Sequence, residues 1–345
     1  MVRDRNVAYI GCVYPHHARA DLEEIMDAGC TSINLTVNEV DWFYYRKARR
    51  YIREVAGELG LKVYINMHGF GTFATTLPCG VYQMKHPESV QVFNDGTRPE
   101  HGETCCPTDK EYRKWLYDVV SDIIEYLKPD GMFWDEPRFV GSKDFPNQWA
   151  CYCPRCRDLF EKRYGRPMPR QLDKEVIEFR QGILLEFLEE LLGHAKKLGG
   201  GENVLCLMSW DRDVNNSPSS PGWYGVIDWE PFAKLRDLDV FSTDPYWIHS
   251  KDFTYFEKNA KDAIRLAHTY GKLCQIWVQA VWVPPNREGD IMRSIRRAAE
   301  MGADMLAVWA YRGEPGAHVL DGGADHDKVW EVVKASYREI ARNGG

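Results

Sequence analysis

The run Gly131-Met132-Phe133-Trp134-Asp135-Glu136-Pro137 stays apolar until it stops at two adjacent carboxylates and a proline. It reads as a buried strand that delivers an acid pair to its C-terminal tip. A glutamic acid facing a pocket can protonate a leaving oxygen, and the negative charge of Asp135 beside it is expected to keep Glu136 protonated near neutrality. Ionised Asp135 only accepts hydrogen bonds, so next to the second carbon of a sugar it suits an acetamido N–H, which it could orient and activate. Against this stands a bland reading, in which the two acids form a surface turn or a salt bridge to Arg138.

Other carboxylates compete for a nucleophile's role. Asp244, in Ser242-Thr243-Asp244-Pro245-Tyr246-Trp247, is the best rival, with Asp211 and Glu314 behind it; each could instead bind sugar hydroxyls. Aromatic residues fall at or just past strand ends: Trp134, Trp210, Trp247, Trp282 and Trp309, with Tyr14, Tyr246 and Tyr311. Flat rings cover the C–H faces of pyranoses while their N–H and O–H groups bond hydroxyls. Core packing is the alternative for any single ring. Asn66, His68, Gln279 and Arg312 complete the polar candidates for substrate contact; His68 reads equally as a core histidine, and its isolation from other ligands argues against a catalytic metal there.

A second constellation lies in Cys151-Tyr152-Cys153-Pro154-Arg155-Cys156, three thiols within six residues, with Cys105-Cys106-Pro107 upstream. Three clustered thiolates and one distant one, Cys106 by preference, would make a tetrahedral sulfur cage for a structural zinc. Two disulfides are the alternative, disfavoured in a reducing compartment. No organic cofactor is expected, since no glycine-rich phosphate loop leads into a helix.

The elements that must position these groups alternate eight times. Strand patterns cover Val7–Tyr14, Ser32–Val37, Lys62–Met67, Gly131–Trp134, Asn203–Trp210, Leu238–Thr243, Leu273–Val281 and Asp304–Ala310. Helical spacing follows over Ala18–Ala28, Arg46–Leu59, Asp109–Leu127, Asp173–Leu198, Asp228–Arg236, Phe253–Tyr270, Gly289–Met301 and Asp325–Arg342. Eight β-then-α units predict an α/β fold, one (β/α)8 TIM barrel over residues 1–345. Turns from helix to strand are short and marked by Gly29, Gly60, Gly131, Gly271 and Gly302. Segments 70–105, 138–171 and 211–227 are long, so the βα loops at the C-terminal face are expected to build the rim.

Composition bounds the partners. With 345 residues, 44% hydrophobic, 28% charged and a net charge of -7, the chain lacks the basic face that nucleic acid needs. No run of 18 apolar residues predicts a membrane span, and the charged start Met1–Arg5 gives no apolar signal segment, so a cytoplasmic location is expected. Homo-oligomers are left open.

The order Cys106-Pro107-Thr108, a helix, the strand ending at Glu136, then Cys-x-Cys-x-x-Cys and Arg157-Asp158-Leu159-Phe160 resembles the zinc-containing β-galactosidases of glycoside hydrolase family 42 over about the first half of the chain. That resemblance implies Cys106, Cys151, Cys153 and Cys156 as zinc ligands and Glu136 as general acid/base. It also implies a nucleophilic glutamate at the end of strand seven, where this chain offers only Gln275 and Gln279. The Asp-Glu pair instead resembles N-acetyl-β-hexosaminidases, in which the substrate's own acetamido oxygen replaces the enzyme nucleophile. The expectation is a glycoside hydrolase cleaving an N-acetyl-β-hexosaminide of a glycoside or oligosaccharide, with Glu136 as acid/base and Asp135 orienting the acetamide. The alternatives are a β-galactosidase-like retaining hydrolase with Asp244 as nucleophile, and a non-catalytic carbohydrate-binding barrel.

Overall fold

In a computed structural model, eight parallel strands close into a barrel in chain order. The structure describes residues 2–10, 14–67, 70, 80–99, 104–211 and 220–343. The strands are β1 (Asp4–Tyr9), β2 (Ser32–Val37), β3 (Lys62–Met67), β4 (Gly131–Asp135), β5 (Glu202–Leu207), β6 (Val240–Thr243), β7 (Leu273–Gln279) and β8 (Met305–Trp309), and β8 pairs back onto β1. Around them run α1 (Ala18–Asp27), α2 (Glu39–Glu58), α3 (Val81–Lys85), α4 (Lys110–Leu127), α5 (Pro154–Tyr164), α6 (Lys174–Lys197), α7 (Glu230–Ala233), α8 (Phe253–Thr269), α9 (Gly289–Glu300) and α10 (His326–Asn343).

Side chains alternate along each strand, so one set fills the barrel and the other packs under the helices. The inner set includes Ala8, Tyr64, Phe133, Val204, Cys206, Val240, Trp277, Met305 and Ala307. The outer set carries Met132, Trp134, Leu205 and Phe241 into the large cluster shared with the helices. The barrel floor is polar. Asn6 donates to the Ser32 hydroxyl at 2.6 Å, that hydroxyl donates to Asp4 at 2.7 Å, and the Tyr64 hydroxyl donates to Glu202 at 2.6 Å. Burial raises the Asp4 carboxyl, which its two hydroxyl partners partly offset.

Several boundaries differ from the sequence reading for identifiable reasons. Helix α2 begins well before Arg46 because Asn38 and Asp41 form a reciprocal cap, each side chain accepting the other's backbone N–H at 2.9 and 3.0 Å. A kink at Tyr45 (φ -127°) then interrupts the helical periodicity. The helix expected over Asp228–Arg236 shrinks to the single turn α7, and α3 and α5 are extra helices inside long βα loops. Strands β5 and β7 stop at Leu207 and Gln279, earlier than expected, because the chain turns over the rim there.

Glycine has two distinct uses at the floor. Gly29, Gly60, Gly271 and Gly302 adopt positive φ, as tight helix-to-strand turns require. Gly131 instead lies within β4, where a Cβ would sit 2.4 Å from the Tyr64 ring. A Gly131→Ala change is therefore expected to destabilise the barrel by about 1–3 kcal/mol through overpacking. Urea unfolding would show a lower midpoint at unchanged m-value, and an unaltered midpoint would refute the close-approach reading.

Candidate functional site

The C-terminal ends of the strands surround a cavity of about 670 Å³, the size of a small-ligand site. Its lining includes Asp135 and Glu136 from the end of β4, Asp244 and Tyr246 past β6, and the rings of Phe133, Trp277, Trp282 and Trp309. Because β4 alternates, Phe133 and Asp135 point inward while Trp134 faces the helix layer, its indole N–H donating to Asn203 at 3.0 Å. Glu136 follows with φ at +44°, a left-handed turn that ends the strand while its N–H still reaches the Cys206 carbonyl at 3.0 Å. Strained backbone of this kind persists where surrounding structure over-determines it, often at functional positions.

Three carboxyls and one guanidinium meet here. Asn66 on β3 donates to Asp135 at 3.0 Å. Burial, then the charge of Glu136, push the Asp135 carboxyl up to about 7 despite that bond and the more distant Arg138. Asp244 is raised well above the ordinary range by burial, by the charge of Glu136 and by a hydrogen bond with the Glu136 carboxyl, against one N–H from Ser209 at 3.3 Å. Glu136 itself forms a 2.8 Å salt bridge with Arg138, whose guanidinium lies 4.3 Å from the centre of the Tyr224 ring. The salt bridge that the sequence offered as a bland alternative is thus present, but inside the cavity. Burial thus raises two carboxyls of the cluster, Asp135 and Asp244. Glu314, on the opposite wall, is also pushed up to about 7 by burial.

The remaining sequence candidates divide. Trp309 and Tyr246 line the cavity. Asn66 supports Asp135 from behind. Asp211 pairs with Lys251 at 3.0 Å, and it is Lys251 that lines the wall. Gln279 is buried: its carbonyl accepts the Ile248 N–H at 2.8 Å and its amide donates to the Val281 carbonyl at 2.9 Å, with His249 Nδ1 at 3.0 Å. It buttresses the loop that carries His249, Ser250 and Lys251 and does not line the cavity. Trp210 packs on Trp229 at the edge of a small adjoining hollow behind Glu136 and Arg138. Trp247 is buried in the helix layer with its N–H on Ser294 at 2.9 Å. Tyr14 is 74% exposed and off the cavity. Arg312 turns outward to Glu24 and Asp327, and Tyr311 joins it on Glu24. His68 lies outside the described residues.

Sequence reasoning passed over Arg138 as a site residue, along with Ser209, His249, Lys251 and Tyr255. Arg138, two residues past the acid pair, was the most findable, because a lone cation beside two carboxylates has an evident partner. Thr36 and Trp277, hidden by their strand-core context, also line the cavity, while the Thr36 Oγ1 and the Trp277 indole N–H are buried without a hydrogen-bond partner.

The four cysteines Cys106, Cys151, Cys153 and Cys156 converge, all buried, with every sulfur within 4.8 Å of the others. Cys106 lies 3.4 Å from Cys156 and 3.7 Å from Cys153, well beyond disulfide bonding. Hydrogen bonds from its neighbours push the Cys153 thiol down. The cluster could hold a metal ion. Beside it, fully buried Arg180 donates to the carbonyls of Ala150, Gly222 and Trp223 at 2.6, 2.6 and 3.1 Å, tying the cysteine loop to the segment carrying Tyr224.

No protein-family profile matches the chain, and no curated protein does. Solved structures do. The glycoside hydrolase domain of PgaB (BpsB) from Bordetella bronchiseptica aligns with a TM-score of 0.66 at 13% identity, covering 92% of this chain and 97% of that one. An endo-1,4-β-mannanase from Rhizomucor miehei aligns at 0.67 and 12% identity, covering 99% and 95%. The β-glycosidase BGL167 aligns at 0.56 and 12%, covering 95% and 86%. The fold is the (β/α)8 barrel that glycoside hydrolases use. Among the described residues no helix is long and apolar enough to cross a membrane.

The raised Asp135 carboxyl has a stability consequence. A carboxyl whose folded value lies above its unfolded one binds its proton more tightly in the fold, so its contribution is present at acid pH and is lost as pH rises through about 7. Asp135→Asn is therefore expected to melt higher than the parent at pH 8, with the gap closing towards pH 4. Calorimetry showing a pH-independent gap would contradict the burial argument.

Proposed function

We propose that this protein is a glycoside hydrolase cleaving a β-linked 2-acetamido sugar, with the substrate's acetamido oxygen as nucleophile. The observation that carries the reading is the tandem Asp135-Glu136 at the end of β4, opening into an aromatic-walled cavity with Asp135 held by Asn66. Aligned barrels of glycoside hydrolases support the reaction class through the fold.

In this mechanism Asp135 accepts the acetamido N–H and turns its carbonyl oxygen towards the anomeric carbon. The Glu136 carboxyl delivers a proton to the leaving oxygen as the C–O bond breaks, and the new bond to the acetamido oxygen forms an oxazolinium. Water then opens that ring, giving its proton back to the carboxyl. The indoles of Trp277, Trp282 and Trp309 are placed to cover the sugar's apolar face and exclude water. A double displacement with Asp244 as nucleophile is the alternative, and it would cleave the matching non-acetylated glycosides equally well. A solely sugar-binding role leaves the cost of burying the acid pair unexplained.

The cysteine cluster fits a structural zinc: tetrahedral Zn–S bonds of about 2.3 Å place sulfurs about 3.8 Å apart, close to the 3.4 and 3.7 Å found here. Its ligands would be Cys106, Cys151, Cys153 and Cys156. Bound there, zinc would fix the third and fourth βα loops together without entering the chemistry.

Two experiments test these readings. Aryl N-acetyl-β-glucosaminide and galactosaminide should be hydrolysed in preference to the matching glucoside and galactoside, with Glu136→Gln slowing turnover by about 10²–10⁴. Cleavage of only non-acetylated sugars, or an undiminished Glu136→Gln rate, would overturn the assignment. Elemental analysis should find one zinc per chain, absent from Cys153→Ser, which should also melt lower; zinc retained by that variant would refute the site.

A further inference from the structure

The mechanism just given asks Glu136 to arrive with a proton, yet the structure surrounds it as an anion. Arg138 is the cation that bonds this cluster, at 2.8 Å from Glu136 and not to Asp244, while Lys251 lines the same cavity with its ammonium paired to Asp211 at 3.0 Å and His249 lies on the wall beside it. Facing Asp244 are Asp135 and Glu136 from β4, Cys206 from β5, Tyr246 beyond its own strand and Tyr255 from α8, with Tyr224 behind Arg138. All are acids or neutral donors. The one backbone N–H on Asp244, from Ser209, is long at 3.3 Å. Two carboxyls within hydrogen-bonding reach of each other cannot both be ionised without large repulsion, and one bridging proton removes it.

We propose that Glu136 and Asp244 form a single proton-sharing dyad, in which Asp244 holds the proton at rest, Arg138 anchors the negative charge on Glu136, and the pair together is the acid of the reaction. This rests on the glycosidase reading and deepens it by naming the proton's source. The balance is simple. As the glycosidic C–O bond breaks, the proton on Asp244 moves to Glu136, which passes it to the leaving oxygen, so the dyad goes from one negative charge to two. The oxazolinium forming beside it carries one positive charge. In the second half, the attacking water loses a proton to the dyad and restores the starting state.

The dyad is thus least charged when the cavity is empty and most charged when the sugar is most cationic, which is the timing that transition-state stabilisation needs. Burial supports the same assignment, since Asp244 is driven towards its neutral form while Glu136 keeps its guanidinium.

The test separates this from the glycosidase reading because it needs no substrate. Infrared pH titration of protein carrying 13C-labelled aspartate should show two aspartic acid carbonyl bands persisting to neutral pH, from Asp135 and Asp244. Asp244→Asn should lose one. Glu136→Gln should lose the same one at neutral pH although Asp244 remains, because the repelling charge is gone; this second variant keeps the test valid if Asp244→Asn folds poorly. A parent with no protonated aspartate beyond Asp135, or a Glu136→Gln protein that keeps both bands, overturns the dyad whatever the enzyme cleaves. Where a glycoside is hydrolysed, Arg138→Gln should move the alkaline limb of the kcat/KM profile upward by about one pH unit or more, and an unmoved limb also counts against it. Bands as expected with no glycoside cleaved would leave the dyad standing and fail the functional proposal.

Discussion

Burying carboxylates is costly unless something offsets their charge, and the mouth of this barrel concentrates three of them, Asp135, Glu136 and Asp244, around the one guanidinium of Arg138. That imbalance organises the rest of the site. One carboxylate takes the cation, a second leans on Asn66, and the third is left to the first for a proton. Such a cluster is stabilising only when a ligand brings donors or positive charge.

The architecture that permits this crowding lies outside the cavity. Arg138 rests on the Tyr224 ring, and Tyr224 belongs to a segment whose carbonyls at Gly222 and Trp223 are gripped by Arg180. Arg180 also grips the carbonyl of Ala150, immediately before the first cysteine of the clustered three. Burial lowers Arg180 to about 9, and the neighbouring Cys151 and Cys156 sulfurs pull it back towards its charged form. Were a metal held by the four thiolates, the negative charge of that centre would suit a buried arginine that has no carboxylate partner among the described residues. The cysteine cluster and the acid cluster are then linked through one cation, one loop and one aromatic ring.

Much of this was legible in sequence because it rests on periodicity. Strands β2 and β3 fall at their expected residues, and the Asp135-Glu136 pair could be placed at a strand tip from the abrupt end of an apolar run. Cysteine spacing likewise identified four residues that the fold gathers. What could not be read was direction. Trp134 and Asp135 are adjacent, but strand alternation sends one to the helices and the other to the cavity, and the parity is fixed only by register with β3 and β5. Trp247, Tyr311 and Arg312 sit past strand ends as expected, yet rim turns aim them at α9, α1 and α10 rather than at the mouth.

Gln279 shows why position on a barrel does not by itself assign a role. It ends β7, where the β-galactosidases that the sequence resembles place a nucleophile, and an amide there reads at first as a lost function. In this fold its carbonyl and amide are spent on Ile248, Val281 and His249, fixing the loop that brings His249 and Lys251 to the cavity wall. A carboxylate at that point would accept the Ile248 N–H but could not donate to the Val281 carbonyl, and it would add a fourth buried carboxyl near a cluster in which three already share the guanidinium of Arg138. The amide is therefore consistent with the acid cluster: a barrel that crowds its carboxyls at strands four and six has little electrostatic room for another at strand seven.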